Sequence, residues 1–199
     1  MTLPTLVKNH QRQVYVTQLH KFYNITSQAI ELYVNDNRAV NLGETPLRNN
    51  VNGLKRFINS YFKIAKDCEG SYVPCFADEY KNIDGSTTIH PKQWQCGVTV
   101  VIADGTAICA DTAHLDAIED ENDEENNVHG HEMHAGSVIS FEFDINGRQG
   151  PNIYGRDYFN FHIDRNGKIF DDYNEDTFNT SELFNYVGKI IEDGWKMNY

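Results

Sequence analysis

The 199-residue chain carries 29 acidic against 17 basic side chains, a formal net charge of -12, with 40% hydrophobic residues. That is enough apolar material for one core in one domain, and its charge balance disfavours general binding to nucleic acid or anionic membrane, because phosphate contacts need clustered Lys and Arg. No apolar run approaches the roughly 20 residues of a membrane span and no signal peptide is present, so the sequence as given reads as soluble.

After Pro4 nothing breaks a helix until about Val34. Val16, Leu19, Tyr23, Ile30 and Val34, widened by Phe22, Ala29 and Tyr33, form an apolar stripe at helical spacing. The stretch from Lys8 to Gln13 is polar all round, so the first turns are expected to project as a stalk while the later turns join the core. A polar loop with Gly43 and Pro46 follows, and then a second helix is expected over 51–66, with Leu54, Phe57, Ile58, Tyr61, Ile64 and Ala65 on one face.

Between Asp67 and Trp94 the chain is irregular and needs a staple to stay ordered. The four cysteines permit three complete pairings, and no CxxC supports a zinc or thioredoxin-like reading. Cys68 and Cys75 are placed to close a short loop, which points to an oxidising compartment. Two β-branched apolar runs then flank Asp104-Gly105 and predict a hairpin. With those two residues as the turn, Ala103 faces Thr106 and Cys96 falls opposite a residue about four beyond Cys109. That register makes a Cys96–Cys109 disulfide strained, because its Cα atoms must lie within about 7 Å.

Residues 116–127 form an acidic run with almost nothing to bury, which reads as a solvated loop. His129, His131 and His134 follow it. They could offer imidazoles to a transition metal, although a polar loop supplies no fixed surroundings for them. Past Val138, hydrophobic and polar residues alternate as in a strand, and Tyr158 to Ile163 do so again. Between them Asp144 to Phe159 packs three glycines, a proline, two asparagines and two aspartates, so it reads as an ordered, multi-turn connection. Asp164-Arg165-Asn166-Gly167 signals a further tight turn. A last helix is expected over 181–193, capped by Thr180 or Ser181, with Leu183, Phe184, Val187, Ile190 and Ile191 apolar and Gly194 at its end.

The run D-x-N-G-x-x-G-P-N-x-x-G-x-D-x-F from Asp144 to Phe159 resembles a C-terminal signature of bacterial type IV pilin-like proteins, the pilins and pseudopilins. Met1 to Val7, with Pro4, is similar to the end of that family's N-terminal membrane segment. Cys68 through Pro74-Cys75-Phe76-Ala77 to Tyr80 is similar to a cysteine-bounded segment of the same group. The prepilin cleavage motif, the apolar run and the glutamate near the mature N-terminus are absent, so the chain looks like a soluble fragment. The resemblance implies an α+β, pilin-like fold: a long N-terminal helix on an antiparallel sheet spanning 96–170, with a second and a C-terminal helix.

It also implies a structural subunit of a pilus-like filament or a type II secretion pseudopilus, anchored in the inner membrane before assembly and then surface-exposed. Its partners would be other pilin subunits, engaged through the absent helix. The isolated fragment would be monomeric, with no nucleic-acid partner and no catalysis. A surface adhesin module, or a metal-dependent hydrolase built on the histidines, are the alternatives from other classes.

No catalytic constellation is visible. The strongest site candidate is the loop itself, with Asp144, Asn146, Gly147, Gly150, Pro151, Asn152, Gly155 and Asp157. Capping of its own turns is the expected role of the polar side chains, with no cofactor required. Asp144, Asn146, Asn152 and Asp157 are hard oxygen donors, and related pseudopilins bind calcium in a loop of their C-terminal sheet, so the resemblance makes Ca²⁺ a candidate ion for this loop.

Overall fold

A computed structural model describes residues 3–47, 50–85, 88–89, 91, 95–112, 127–128, 131–132, 136–180 and 186–199. Helix α1 spans Leu3–Asp36 and α2 spans Val51–Tyr61. Strand β1, Ile64–Asp67, is followed by the short β2 (Tyr80–Lys81) and β3 (Thr88–Ile89). Then come β4 (Val98–Ile102), β5 (Ala107–Thr112), β6 (Asn127–Val128) and β7 (His131–Glu132). The chain continues through β8 (Ser137–Asp144), β9 (Tyr158–Asp164) and β10 (Ile169–Phe170) to α3 (Tyr186–Glu192). The main sheet is antiparallel with order β1-β4-β5-β8-β9-β10; β2 pairs with β3, and β6 with β7.

Period-two alternation divides β8 between two layers. Phe141 and Phe143 face α1, where the Phe22 ring lies 4.4 Å from Phe143 and 5.8 Å from Phe161, centroid to centroid. Ser140, Glu142 and Asp144 point to the opposite face. They are buried too, because the segment after β1 lies over them: the Tyr72 phenol donates to Glu142 and the Tyr80 phenol donates to Asp144 at 2.7 Å. The sheet is thus covered on both faces, by helix on one and by irregular chain on the other.

The pilin-like fold class expected from the sequence is corrected to a mixed fold with, among the described residues, a six-stranded antiparallel sheet and three α-helices. The second helix stops at Tyr61, not 66. Phe62 takes extended dihedrals, φ -114° and ψ 139°, and turns its ring into the core beside Phe57. Ile64 then starts an edge strand, pairing with Ile102, in which Ala65, Lys66 and Asp67 are exposed. Ile64 stands three residues after Tyr61 and so continues the helical stripe in sequence, which is why the pattern ran past the true end although Ile64 opens a strand. The described C-terminal helix is Tyr186–Glu192, closed by Gly194 at φ +67°. Ser181, Leu183 and Phe184 lie outside the described residues, so the expected cap is not placed.

The hairpin register is also corrected. Val101 pairs with Ala107 and Val98 with Ala110, so three residues, Ala103-Asp104-Gly105, make the connection, with Gly105 at φ +97°. Cys96 lies outside β4. Its N–H donates to the Gly70 carbonyl at 2.9 Å, and the next N–H, of Gly97, donates to Asp111 Oδ1 at 2.6 Å. The chain therefore bends across the end of β5 instead of continuing the ladder. The Cys96–Cys109 disulfide that the straight register disfavoured forms with Cα atoms 5.6 Å apart. Cys68–Cys75 forms as well, with Cα atoms 6.1 Å apart.

Candidate functional site

Residues 145–157 connect β8 to β9, whose register puts Asp144 opposite Tyr158. The connection is a long hairpin loop built from backbone bonds: Ile145 N–H to the Asp157 carbonyl at 2.9 Å, and Gly155 N–H to the Tyr158 carbonyl at 2.9 Å. Lys81 N–H donates to the Asn152 carbonyl at 3.0 Å, and Tyr154 N–H returns a bond to the Lys81 carbonyl at 2.9 Å. These two bonds stitch the loop to the segment covering the sheet. Gly147 and Gly155 have φ of +65° and +73°, and a Cβ on Gly155 would come within 2.5 Å of the Tyr186 ring. Gly150 is not in the left-handed region, but Asn152 is, at φ +57°, where an Asx side chain is tolerated best. Pro151 is exposed.

Both aspartates are fully buried and cap the loop's own turns. Asp144 Oδ1 accepts the Asn146 N–H at 3.0 Å, while its Oδ2 takes the Tyr80 hydroxyl. Asp157 Oδ2 and Oδ1 accept the N–H groups of Asn152 and Ile153 at 2.8 and 2.7 Å. Burial, then the charge of Asp157, pushes the Asp144 carboxyl well above the usual range; hydrogen bonds from Tyr80 and the loop backbone only partly offset this. Burial raises Asp157 likewise, against the same kind of backbone bonding.

The capping role is therefore present in the geometry, and something remains beyond it. The side-chain oxygens of Asn146 and Asn152 are buried without a hydrogen-bond partner. Two buried carboxylates that repel each other and two amide oxygens without partners on the same loop are oxygen donors of the type a hard cation takes. Asp144, Asn146, Asn152 and Asp157 are the residues that would hold one. Cys96, Cys109 and Asp111 also cluster, but both sulfurs are committed to the disulfide, so no thiolate is on offer. Of His129, His131 and His134, only His131 is described, as part of a two-residue strand; the other two lie outside the described residues, as does the acidic run up to residue 126.

Two features went unread in the sequence. One is the phenol cluster behind the loop, where Tyr72 and Tyr158 both donate to Glu142; burial, then the Glu142 charge, lifts both phenols well above their usual value. The other is a cleft of about 510 Å³ between the loop and the stalk. Lys8, Gln11, Arg12 and Tyr15 share one helix face at spacings of three and four, and across from them stand Pro151 and Arg156. Arg156 donates to the Tyr199 carbonyl at 3.1 Å while its Nη1 is buried without a partner. Burial and then the nearby Arg12 charge lower its affinity for the proton. The spacing of Lys8 and Arg12 was visible in the sequence, but nothing there brought Arg156 to them.

No helix among the described residues is long and apolar enough to cross a membrane. No curated protein matches the chain, and no solved structure matches it. A family of unknown function, DUF6613, matches residues 5–199. With nearly its whole length covered, the chain belongs to that family.

Proposed function

We infer that the chain is a non-catalytic structural subunit of an extracytoplasmic filament, either a bacterial type IV pilus-like fibre or a type II secretion pseudopilus. The observation that supports this most is the division of α1. From Val16 onward the helix contributes Val16, Leu19, Phe22, Ala29, Ile30 and Tyr33 to the core, whereas Leu6 to Gln11, Gln13 and Val14 are exposed. Nothing in the domain's own core accounts for about two turns of exposed helix carrying Leu6, Val7 and Val14 at 52%, 51% and 40% exposure. An exposed extension of a helix gains little from propensity alone in water, so neighbouring subunits are a physical reason for these turns to carry apolar side chains. Two disulfides suit an oxidising compartment, and the loop from Asp144 to Phe159 carries the resemblance to pilin-like proteins.

This reading does not require a pilin-like fold. It places the protein at the inner membrane before assembly and on the cell surface afterwards, with other subunits as partners and without enzymatic turnover. The test is electron microscopy with antibodies to this domain. The chain alone is expected to stay monomeric, and the chain fused behind an apolar membrane helix is expected to enter labelled filaments in cells carrying an assembly system. Ordered fibres from the chain alone, or a complete lack of incorporation of the fusion, would reject the reading.

A further inference from the structure

We propose that the cleft formed by Lys8, Arg12 and Arg156 receives the acidic segment, residues 116–127, of a second copy of this chain, so that copies associate head to tail. The ligand chemistry follows from the lining. Two guanidinium groups and an ammonium converge in a chain whose net charge is -12, and among the described residues no carboxylate lines the cleft. Arginines offer planar forks that match carboxylates two bonds at a time. Lys196 lines the adjoining groove on the other side of Arg12, extending the basic surface around the stalk.

Counter-charge of the right kind exists in quantity at one place in the sequence. Residues 116–127 carry seven carboxylates and no cation. Their position in the fold sets the direction of association. The segment leaves after Thr112 and returns by Ser137, which pairs across the sheet with Asp164. The cleft-forming loop begins at the far end of β8, after Asp144. Seven residue steps separate Ser137 from Asp144, about 23 Å at the usual strand rise.

The anchors of the acidic segment and the basic cleft therefore sit at opposite ends of the sheet. A basic cleft at one end of the sheet and an acidic segment tethered at the other suit a heterologous contact between copies, and repetition of such a contact builds an open assembly where the rotation does not close into a ring. The inference deepens the filament reading by naming a contact between subunits. An exposed charge contact is weak alone, so the isolated chain stays monomeric at working concentrations, and it gains force where other contacts hold copies side by side.

The experiment titrates a labelled synthetic peptide of residues 116–127 into the full chain at low and at high ionic strength. Saturable one-to-one binding that weakens with salt is expected. Lys8→Ala with Arg12→Ala should weaken it about tenfold. Lys8 is exposed and Arg12 is half-buried, and neither belongs to the hydrophobic core, so thermal melts should change little. Lys63→Ala with Lys66→Ala removes the same charge elsewhere and should have no effect. Failure of the peptide to bind, or equal losses from both pairs, overturns the proposal. A third chain carries amides in place of the seven acids. If the peptide binds it and not the natural chain, the segment fills its own cleft, and the head-to-tail contact is wrong. None of these readouts depends on filaments, so the contact and the filament reading can fail separately.

Discussion

Two irregular stretches of this protein face the same physical problem and solve it differently. Among their described residues, the segment 68–97 and the loop 145–157 both lack long strands or helices, yet both are packed tightly enough to bury aromatic rings: Tyr72, Phe76 and Tyr80 in the first, Tyr154 in the second. The first is held covalently. Cys68–Cys75 closes its start, and Cys96–Cys109 ties its end to β5. The second is held by two buried carboxylates, each accepting backbone N–H groups of the loop. They meet where Tyr80 donates to Asp144 and where Lys81 exchanges backbone bonds with Asn152 and Tyr154. One stretch should therefore answer to redox potential and the other to protons and cations.

Reduction is the largest expected blow. By the chain-entropy argument each short disulfide loop contributes roughly 2–3 kcal/mol, so losing both removes on the order of 5 kcal/mol. For a chain of this size that lowers the melting temperature by about 10–20 °C. The damage should be local first. Hydrogen exchange on the reduced protein is expected to speed up from Cys68 to Lys81 while β8 and β9 keep their protection, since their core on the α1 side is independent of the sulfurs. Uniform loss across the sheet would show that the two stretches are not separate devices.

Protons come next, and they act on the other stretch and its surroundings. Asp144, Asp157 and Asp171 all have carboxyls raised above their usual value, with burial the first cause in each. Asp171, which accepts the N–H groups of Tyr173 and Gly188, is raised from 3.8 to about 6. A raised folded value means the folded state holds the proton more tightly than the unfolded one. The associated stability is fully present below 3.8 and lost as pH rises through about 6. For Asp171 that is on the order of 2–3 kcal/mol. Melting temperature is thus expected to be higher at pH 5.5 than at pH 7.5 (roughly the span of that titration), and Asp171→Asn should flatten the difference. A melt that falls steadily on acidification over this range would mean that these carboxylates gain more from their hydrogen bonds than burial costs them.

How much of this was readable beforehand differs between the stretches for a physical reason. Backbone demands leave marks in composition: the glycines and Asx residues of 145–157 announced an ordered connection, and Gly147, Asn152 and Gly155 do adopt positive φ. Long-range burial leaves none. The alternation along β8 marked Ser140, Glu142 and Asp144 as one face, but nothing local showed that Tyr72 and Tyr80 would cover that face. The Cys96–Cys109 bridge was misjudged because a straight ladder was extended to Cys96, whereas the Gly97–Asp111 bond bends the chain. The basic cleft was half visible, in the spacing of Lys8 and Arg12, and half hidden, in the loop geometry that delivers Arg156.

Calcium gives the smallest and sharpest contrast between the two stretches. If capping is the only duty of Asp144 and Asp157, their hydrogen bonds suffice, added calcium leaves the melts of wild type and Asp157→Asn alike unchanged, and Asp157→Asn costs about 1–3 kcal/mol because its single amide oxygen can replace only one of the two carboxylate oxygens that accept N–H groups. The orphan oxygens of Asn146 and Asn152 tip the expectation the other way, since a buried acceptor without a partner costs free energy that an oxygen-seeking cation would recover. A divalent ion would also relieve the repulsion between the two carboxylates. At free calcium about tenfold above its dissociation constant the folded state gains about 1.4 kcal/mol, a rise of roughly 3–6 °C. That rise should be present at pH 7.5, shrink toward pH 5.5 as protons compete for the carboxylates, and vanish in Asp157→Asn. It should survive reduction of the disulfides, because the loop's own bonds to Asp144 and Asp157 do not pass through the sulfurs. Melts of wild type and Asp157→Asn with calcium and with chelator settle the point: no calcium response in wild type would leave turn capping as the whole role of the loop.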